Sequence, residues 1–382
     1  MTSESKIVFI THYNDMNGAN QSLYTLLVGL SSYYSIKVYI HNPEHKDEGL
    51  YRELKALKNV DVENIKLLSY LYFKNQYLGP LKLIYNFLSS LGSILKIVKY
   101  CKRKRVVVIY SNSSVESYGF LISKWLGIKH VWHVREFGYL DYGLRHVGGD
   151  KLKRLLLGST TLVIAISRAI ESYVRTKNCK LIYNGVVDSD KIDTVKQYNC
   201  FDNELRLGVV GLISHTKNQR IAIEAIKNLR GKGYLVSLDL WGGVGDVNYK
   251  KELDVFITQN GLESFVNFKG FEANKDNIYS SMDILIMCSP YEAFGRVTIE
   301  AMSRGIVVVG NKAGGTVELI EDNVNGLLYS GVEQLENKIV QMIENRDLYT
   351  VLSNESINSA KKFSIQTYIK SINESIKILI EE

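Results

Sequence analysis

Ser289-Pro290-Tyr291-Glu292-Ala293-Phe294-Gly295-Arg296-Val297-Thr298-Ile299-Glu300-Ala301-Met302 follows the apolar run Ile284-Leu285-Ile286-Met287, which has the form of a strand buried on both faces. Pro290 and Gly295 mark a loop, and the pattern from Val297 to Arg304 opens a helix. A strand, a short loop and a helix in this order form one unit of a parallel, doubly wound sheet. Unpaired N–H groups at such a helix start, together with the helix dipole, attract a diphosphate. Glu292 in the loop and Glu300 in the second turn are then expected to face one pocket. Carboxylates suit vicinal hydroxyls there, because each oxygen accepts hydrogen bonds.

Worked outward, the same alternation covers the chain. The second half offers strands at Leu207 to Val210, Val236 to Trp241, Val266 to Phe268 and Val307 to Val309, with helical patterns at Gln219–Arg230 and Lys250–Gln259. The first half offers Ile7 to Ile10, Ile36 to Ile40, Val106 to Tyr110, His130 to His133 and Leu162 to Ile166. Leu23, Leu26, Leu27 and Leu30 recur there at helical spacing. A length of 382 residues exceeds one ordinary core and suits two domains. The expected class is α/β, with two Rossmann-like, doubly wound parallel-sheet domains facing across a cleft at the carboxyl ends of their strands. The polar stretch Asp188–Asn203 reads as the linker between an N-terminal domain, 1–187, and a C-terminal domain, 188–363. A last helix, 364–382, is expected to pack back on the N-terminal domain.

The segment from Ser289 resembles the donor site of glycosyltransferase family 4, a retaining group of GT-B fold with a Glu-x7-Glu motif. Glu292 and Glu300 match that spacing inside Ser-Pro-x-Glu-x-Phe-Gly and Glu-Ala-Met-x-x-Gly. The resemblance implies that Glu300 holds the nucleotide ribose and that Glu292 contacts the donor sugar. It places Phe294, Gly295, Arg296 and Val297 at the diphosphate. Gly211-Leu212-Ile213-Ser214-His215-Thr216-Lys217-Asn218 resembles the family's phosphate loop, with Gly211 at its turn and Lys217 as the neutralising lysine. Many members carry an arginine where this chain has Leu212, so Arg220 or Arg296 is the expected substitute. Gly18-Ala19-Asn20 resembles the glycine-rich loop that opens the first helix, with Ala19 replacing a second glycine; a helix cap by Asn17 would look alike.

Further landmarks run in the family's order. Trp132-His133-Val134-Arg135-Glu136 ends a strand, and the resemblance implies that His133 hydrogen-bonds the transferred sugar. Arg135 and Glu136 are expected to pair with each other or to face the acceptor, and His12 is a weaker candidate at another strand end. Asn184-Gly185 reads as a structural turn. In Ala313-Gly314-Gly315-Thr316 the glycines are expected to approach the donor, with Thr316 bonding to it or capping a helix. The implied reaction moves a sugar from a nucleotide diphosphate, UDP favoured, to an acceptor hydroxyl with retention. The leaving phosphate oxygen helps to deprotonate the acceptor, and neither metal nor resident cofactor is required. Glu292, His133 and Lys217 are the expected catalytic residues. A nucleotide-sugar epimerase, a phosphorylase or a non-catalytic nucleotide-sugar-binding subunit of the same architecture are the rivals.

The formal charge of +7 is uneven: Lys96, Lys99, Lys102, Arg103, Lys104 and Arg105 fall within ten residues. They follow an amphipathic stretch from Leu78 to Val98, and the segment 78–105 suits either an anionic membrane surface or a core-packed helix with a solvated basic end. A lipid-linked saccharide of surface polysaccharide or glycoconjugate assembly is the acceptor this favours. No run of about 18 uncharged apolar residues exists, so no bilayer-crossing helix is expected. The four cysteines, Cys101, Cys179, Cys200 and Cys288, are scattered, and no histidines cluster at ligand spacing. That pattern fits a reducing compartment without structural zinc. The N-terminus lacks the pattern of a secretory signal, which makes the cytoplasm, at the inner face of the membrane, the expected location. The basic cluster carries no recognition motif, so no nucleic acid is expected as a partner.

Overall fold

The computed structural model describes residues 5–42, 44, 47–69, 71–73, 79–188 and 204–382. Most of the expected linker, with Cys200, and the first residue of the amphipathic stretch, Leu78, lie outside the described residues. The chain divides into two compact units. Unit 1 comprises Met1–Gly185 together with Ile365–Glu382, and unit 2 comprises Val186–Ser364.

In unit 1 the strands β1 (Lys6–Thr11), β2 (Ser35–His41), β3 (Val60–Ile65), β5 (Val108–Ser111), β6 (Lys129–Val134), β8 (Leu162–Ala165) and β9 (Cys179–Leu181) form one sheet. Its order is β3-β2-β1-β5-β6-β8-β9, and every pairing is parallel. The short strands β4 (Tyr72–Phe73) and β7 (Arg145–His146) make a separate antiparallel pair. Unit 2 holds β10 (Leu205–Val210), β11 (Val236–Trp241), β12 (Val266–Gly270), β13 (Ile284–Met287), β14 (Val307–Asn311) and β15 (Leu327–Tyr329). These pair in parallel in the order β12-β11-β10-β13-β14-β15. Both sheets are doubly wound and Rossmann-like, as the alternation of strand and helix leads one to expect. The order reverses beside β1, next to β5, and beside β10, next to β13. Ligands of such sheets bind at these reversals.

The helix Gly18–Leu30 covers one face of the unit 1 sheet, with Leu23, Leu26, Leu27 and Leu30 fully buried. Asn17 caps it, its side chain accepting from the Asn20 N–H at 3.0 Å. The same core takes Tyr368, Ile372, Ile376 and Leu379 from the C-terminal helix, Ile365–Glu381. The Tyr34 hydroxyl donates to Asn373 Oδ1 at 2.7 Å across this seam. The last helix of the chain is thus a structural part of the unit that contains the first strand.

The opposite face carries the long helix Gly79–Lys104. Ile94, Ile97, Val98 and Cys101 pack with Val8, Ile10 and Ile109, and Lys96 pairs with Glu63 of β3. Against the expectation from the sequence, its portion Leu81–Lys104 is long and apolar enough to cross a membrane by length and composition. Leu81, Ile84, Tyr85, Leu88, Leu91 and Leu95 are exposed and recur every three or four residues, so they form one stripe.

If the C-terminal helix completes this core, Ile372→Ala should cost unit 1 about 2–5 kcal/mol, the usual range for truncating a fully buried isoleucine. Urea denaturation followed on a unit 1 probe measures it. An unchanged midpoint would remove the helix from the core.

Candidate functional site

In unit 2 two loops leave the sheet at its reversal, one after β10 and one after β13. The first ends in a tight turn, His215–Lys217, and the Lys217 stem lies over Gly211. From there Lys217 Nζ reaches Glu292 Oε2 at 2.8 Å, so the structure brings Lys217 and Glu292 together. The lysine side chain is 37% exposed and the glutamate 14%, which leaves this ion pair within reach of solvent.

After β13 the backbone turns at Gly295, with φ +100, into the helix Arg296–Met302. Phe294 is buried with its ring edge-on to Phe363 at 5.9 Å, and Val297 is half-buried. Glu300, one turn into the helix, is buried and already engaged: it accepts from Lys275 Nζ at 2.5 Å and from the Tyr279 hydroxyl at 3.0 Å, with Arg296 at 3.5 Å. The two motif glutamates therefore have separate sets of partners. Lys275 and Tyr279 escape sequence reading because nothing in their own segment marks them. Leu212 is exposed. Arg220, one expected substitute for the missing arginine, bonds Glu224 at 2.7 Å and stacks on Phe256 with its guanidinium 3.3 Å from the ring centre. With Arg220 engaged there, Arg296 is the other expected substitute, and it lies beside Glu300 together with Lys275.

Gly314 and Gly315 serve the loop itself. The Gly315 N–H donates to the Glu292 carbonyl at 2.6 Å, and a Cβ on Gly314, φ +56, would sit 2.6 Å from the same oxygen. These glycines approach the backbone of Glu292. Thr316 is the first residue of the helix Thr316–Leu319 and not its cap. Its hydroxyl, with those of Ser289 and Thr298, is buried without a hydrogen-bond partner among the described residues.

In unit 1 Gly18 and Ala19 are the first two residues of their helix. Asn20 fastens the preceding loop, donating to Tyr13 O at 2.9 Å and Asp15 O at 2.8 Å. His133 is fully buried in β6, and its Nδ1 lies 2.6 Å from the Tyr110 hydroxyl. Burial, reinforced by the Arg135 charge, holds His133 well below the usual imidazole range. His133 Nε2, Asn112 Nδ2 and His12 Nδ1 are buried without hydrogen-bond partners among the described residues. Arg135 and Glu136 do not pair with each other. Arg135 bonds Asn112 and Asn184, each at 2.7 Å, and one oxygen of Glu136 accepts from Ser113 and twice from Ser114. Among the described residues no group of three or more His, Cys, Asp or Glu side chains is placed to hold a metal ion.

Residues 190–359 match the family model described as Glycosyl transferases group 1. The chain is similar, at 22% identity over 93% of its length and 95% of the relative's, to an uncharacterized 41.2 kDa protein in the cps region of Klebsiella pneumoniae. It is 23% identical to the capsular polysaccharide biosynthesis glycosyltransferase CapM of Staphylococcus aureus, over 79% of this chain and 85% of that one. The crystal structure of Anabaena HepE in complex with UDP and glucose matches with a TM-score of 0.79 and 25% identity, covering 98% of this chain and 99% of HepE. The fold is that of the GT-B glycosyltransferases. These similarities support glycosyltransferase activity and a nucleotide-sugar donor.

Gly314→Ala places a methyl group against the Glu292 carbonyl in a left-handed backbone conformation. It should lower stability by about 1–3 kcal/mol and displace the Glu292 loop. A variant with an unaltered melting curve and unaltered nucleotide binding would show that this backbone contact does not hold the loop.

Proposed function

We propose that this chain is a retaining, family 4 glycosyltransferase that moves a sugar from a nucleotide diphosphate, UDP-sugars first, to an acceptor hydroxyl. The observation that carries this reading is the Lys217–Glu292 pair at the strand-order reversal of unit 2, flanked by Gly211 and Gly295. A lysine is a mobile point charge, and a pair whose lysine is open to solvent exchanges partners more readily than a sealed one. Lys217 leaves Glu292 for the diphosphate, and Glu292 accepts from a hydroxyl of the donor sugar. Glu300 takes the ribose in exchange for Lys275, while Tyr279 keeps its carboxylate oriented. Charge that develops on the leaving diphosphate is met by Lys217, by Arg296 and by the N–H groups after Gly295. The leaving oxygen takes the acceptor proton, and the sugar is transferred on the face it leaves. The chemistry calls for neither a metal nor a resident cofactor. The UDP-glucose and UDP complexes of HepE support the choice of donor base.

Thermal-shift measurements with UDP-, GDP- and ADP-sugars identify the donor, since a ligand bound only by the folded state raises the melting temperature. Glu300→Ala should abolish that shift and the transfer of sugar, with a lowered melting temperature from the partners left unpaired but a protein still folded. Unimpaired turnover in this variant would remove Glu300 from the site, and an epimerised nucleotide sugar in the absence of acceptor would replace transfer by epimerisation.

The acceptor in this reading is a lipid-linked saccharide at the cytoplasmic face of a membrane, in the assembly of a surface polysaccharide or glycoconjugate. The capsule-related relatives support it, and the three described cysteines, all free thiols, suit a reducing compartment. The exposed stripe from Leu81 to Leu95 leads along the helix into Lys99, Lys102, Arg103, Lys104 and Arg105, all exposed. An apolar face joined to a basic end is complementary to an anionic lipid surface. The protein should co-sediment with phosphatidylglycerol vesicles, weakly or not at all with phosphatidylcholine, and less as salt is raised. Ile84→Glu with Leu88→Glu should release it. Binding indifferent to both substitutions would assign the stripe another role.

A further inference from the structure

Arg135 is buried, and every group its guanidinium touches among the described residues is neutral. Nε donates to Asn112 Oδ1 at 2.7 Å, Nη1 to Asn184 Oδ1 at 2.7 Å, and Nη2 to the Tyr368 hydroxyl at 3.1 Å. Nη2 also lies 3.2 Å from His133 Nδ1. Arginine only donates, so each of these atoms must accept. For Asn112 this fixes the amide: the carbonyl oxygen faces Arg135 and the NH2 group faces away. For His133 it favours one tautomer. A proton on Nδ1 would oppose the guanidinium N–H, so the single lone pair of Nδ1 faces both Arg135 Nη2 and the closer Tyr110 hydroxyl, at 2.6 Å, and the ring proton belongs on Nε2.

The two atoms turned away from Arg135, Asn112 Nδ2 and His133 Nε2, are left buried and unpartnered among the described residues. Both are donors. Ser111, the last residue of β5, is in register with Trp132 of β6, so Asn112, just past the end of β5, follows beside His133 near the reversal of the unit 1 sheet. The acceptor atoms of both side chains meet the same guanidinium, so the two donors belong to neighbouring side chains. Buried donors are seldom left unpaired in folded proteins, and a pair of them at a ligand-binding strand end calls for acceptor oxygens.

We propose that Arg135 is a positioning residue that holds Asn112 and His133 as a paired N–H donor site for an oxygen-rich group of the substrate, either sugar hydroxyls or a phosphate. Only the naming of that group rests on the transferase reading. The anchors of the guanidinium come from distant parts of the chain. Asn184 closes the first segment of unit 1, and Tyr368 lies on the C-terminal helix, pressed against Gly185 so closely that a Cβ there would meet Tyr368 Cβ at 2.9 Å. The C-terminal helix therefore reaches the strand-end site through one hydroxyl group.

The test is NMR of the full chain labelled with 15N-histidine, with His133 assigned by the signal lost in His133→Gln. The expected ligand-free spectrum shows Nδ1 unprotonated and Nε2 protonated. In Arg135→Met this signature should move toward a mixture of tautomers, and in Tyr368→Phe, which removes a single oxygen, it should move the same way by less. A protonated Nδ1 in the wild type, or a His133 signal unchanged in both variants, overturns the proposal whether or not the chain transfers sugar. Should Arg135→Met fail to fold, Tyr368→Phe decides alone. Titration with inorganic phosphate, UDP and UDP-glucose then separates the sources of the oxygen. A His133 Nε2 shift with UDP-glucose alone assigns sugar hydroxyls, and one with all three assigns a phosphate. No shift with any of them overturns the donor site.

Discussion

Parallel strands cannot be joined by a tight turn, and each connection must cross back over one face of the sheet with a fixed hand. Where the order of strands reverses, successive crossovers leave toward opposite faces and their loops splay apart. Backbone and side-chain polar groups at that point lose the neighbours that would satisfy them. Both units obey this constraint, and each has buried polar groups without a partner among the described residues at its strand ends: His12, Asn112 and His133 in unit 1, and Ser289, Thr298 and Thr316 in unit 2, besides others elsewhere such as Asn178 and Arg230. The chemistry proposed for this chain is a use of what the winding of its two sheets leaves unpaired.

The two sites meet this constraint by different electrostatic means. In unit 2 the cations come with carboxylates: Lys217 with Glu292, and Lys275 and Arg296 with Glu300. Lys217 and Lys275 are partly exposed, so their pairs are screened and open to exchange with a ligand. In unit 1 the guanidinium of Arg135 is sealed among amides, a phenol and an imidazole, with nothing ionic to exchange. That arrangement holds its donors in place before any ligand arrives, which lowers the reorganisation needed on binding. One site is adjustable and the other preset.

The central strands were legible in the sequence because β1, β5, β10, β13 and β14 are nearly continuous apolar runs, the mark of burial on both faces. Strand β3, Val60-Asp61-Val62-Glu63-Asn64-Ile65, alternates instead and lies at an edge, where Asp61 and Glu63 pair with the buried Lys37 of β2. β9 and β15 have three residues each, too few for any periodicity to appear. In the candidate site, loop composition pointed to Glu292, Lys217 and Glu300. It could not supply their partners: Lys275 bonds Glu300 from 25 residues away, and Tyr368 reaches Arg135 from 233. Arg220 shows the opposite failure. It is close to the phosphate loop along the chain, but the turn of its helix gives it to Glu224 and Phe256.

The C-terminal helix gives unit 1 a sequence that is interrupted by the whole of unit 2. During synthesis, β1 and the helix Gly18–Leu30 emerge early, but the residues that close their core, Tyr368 to Leu379, emerge only after Val186–Ser364 has been made. At roughly 5–20 residues per second the nascent chain carries that open apolar face for on the order of ten to forty seconds. Unit 2 has no such wait, since its strands and core residues are contiguous in sequence. The residues of unit 2 are therefore all made before those of unit 1 are complete, although unit 1 begins first and is closed by the helix Ile365–Glu381. A ribosome that stalls before residue 365 would release an unfinished first domain beside a finished second one, a natural client for chaperones.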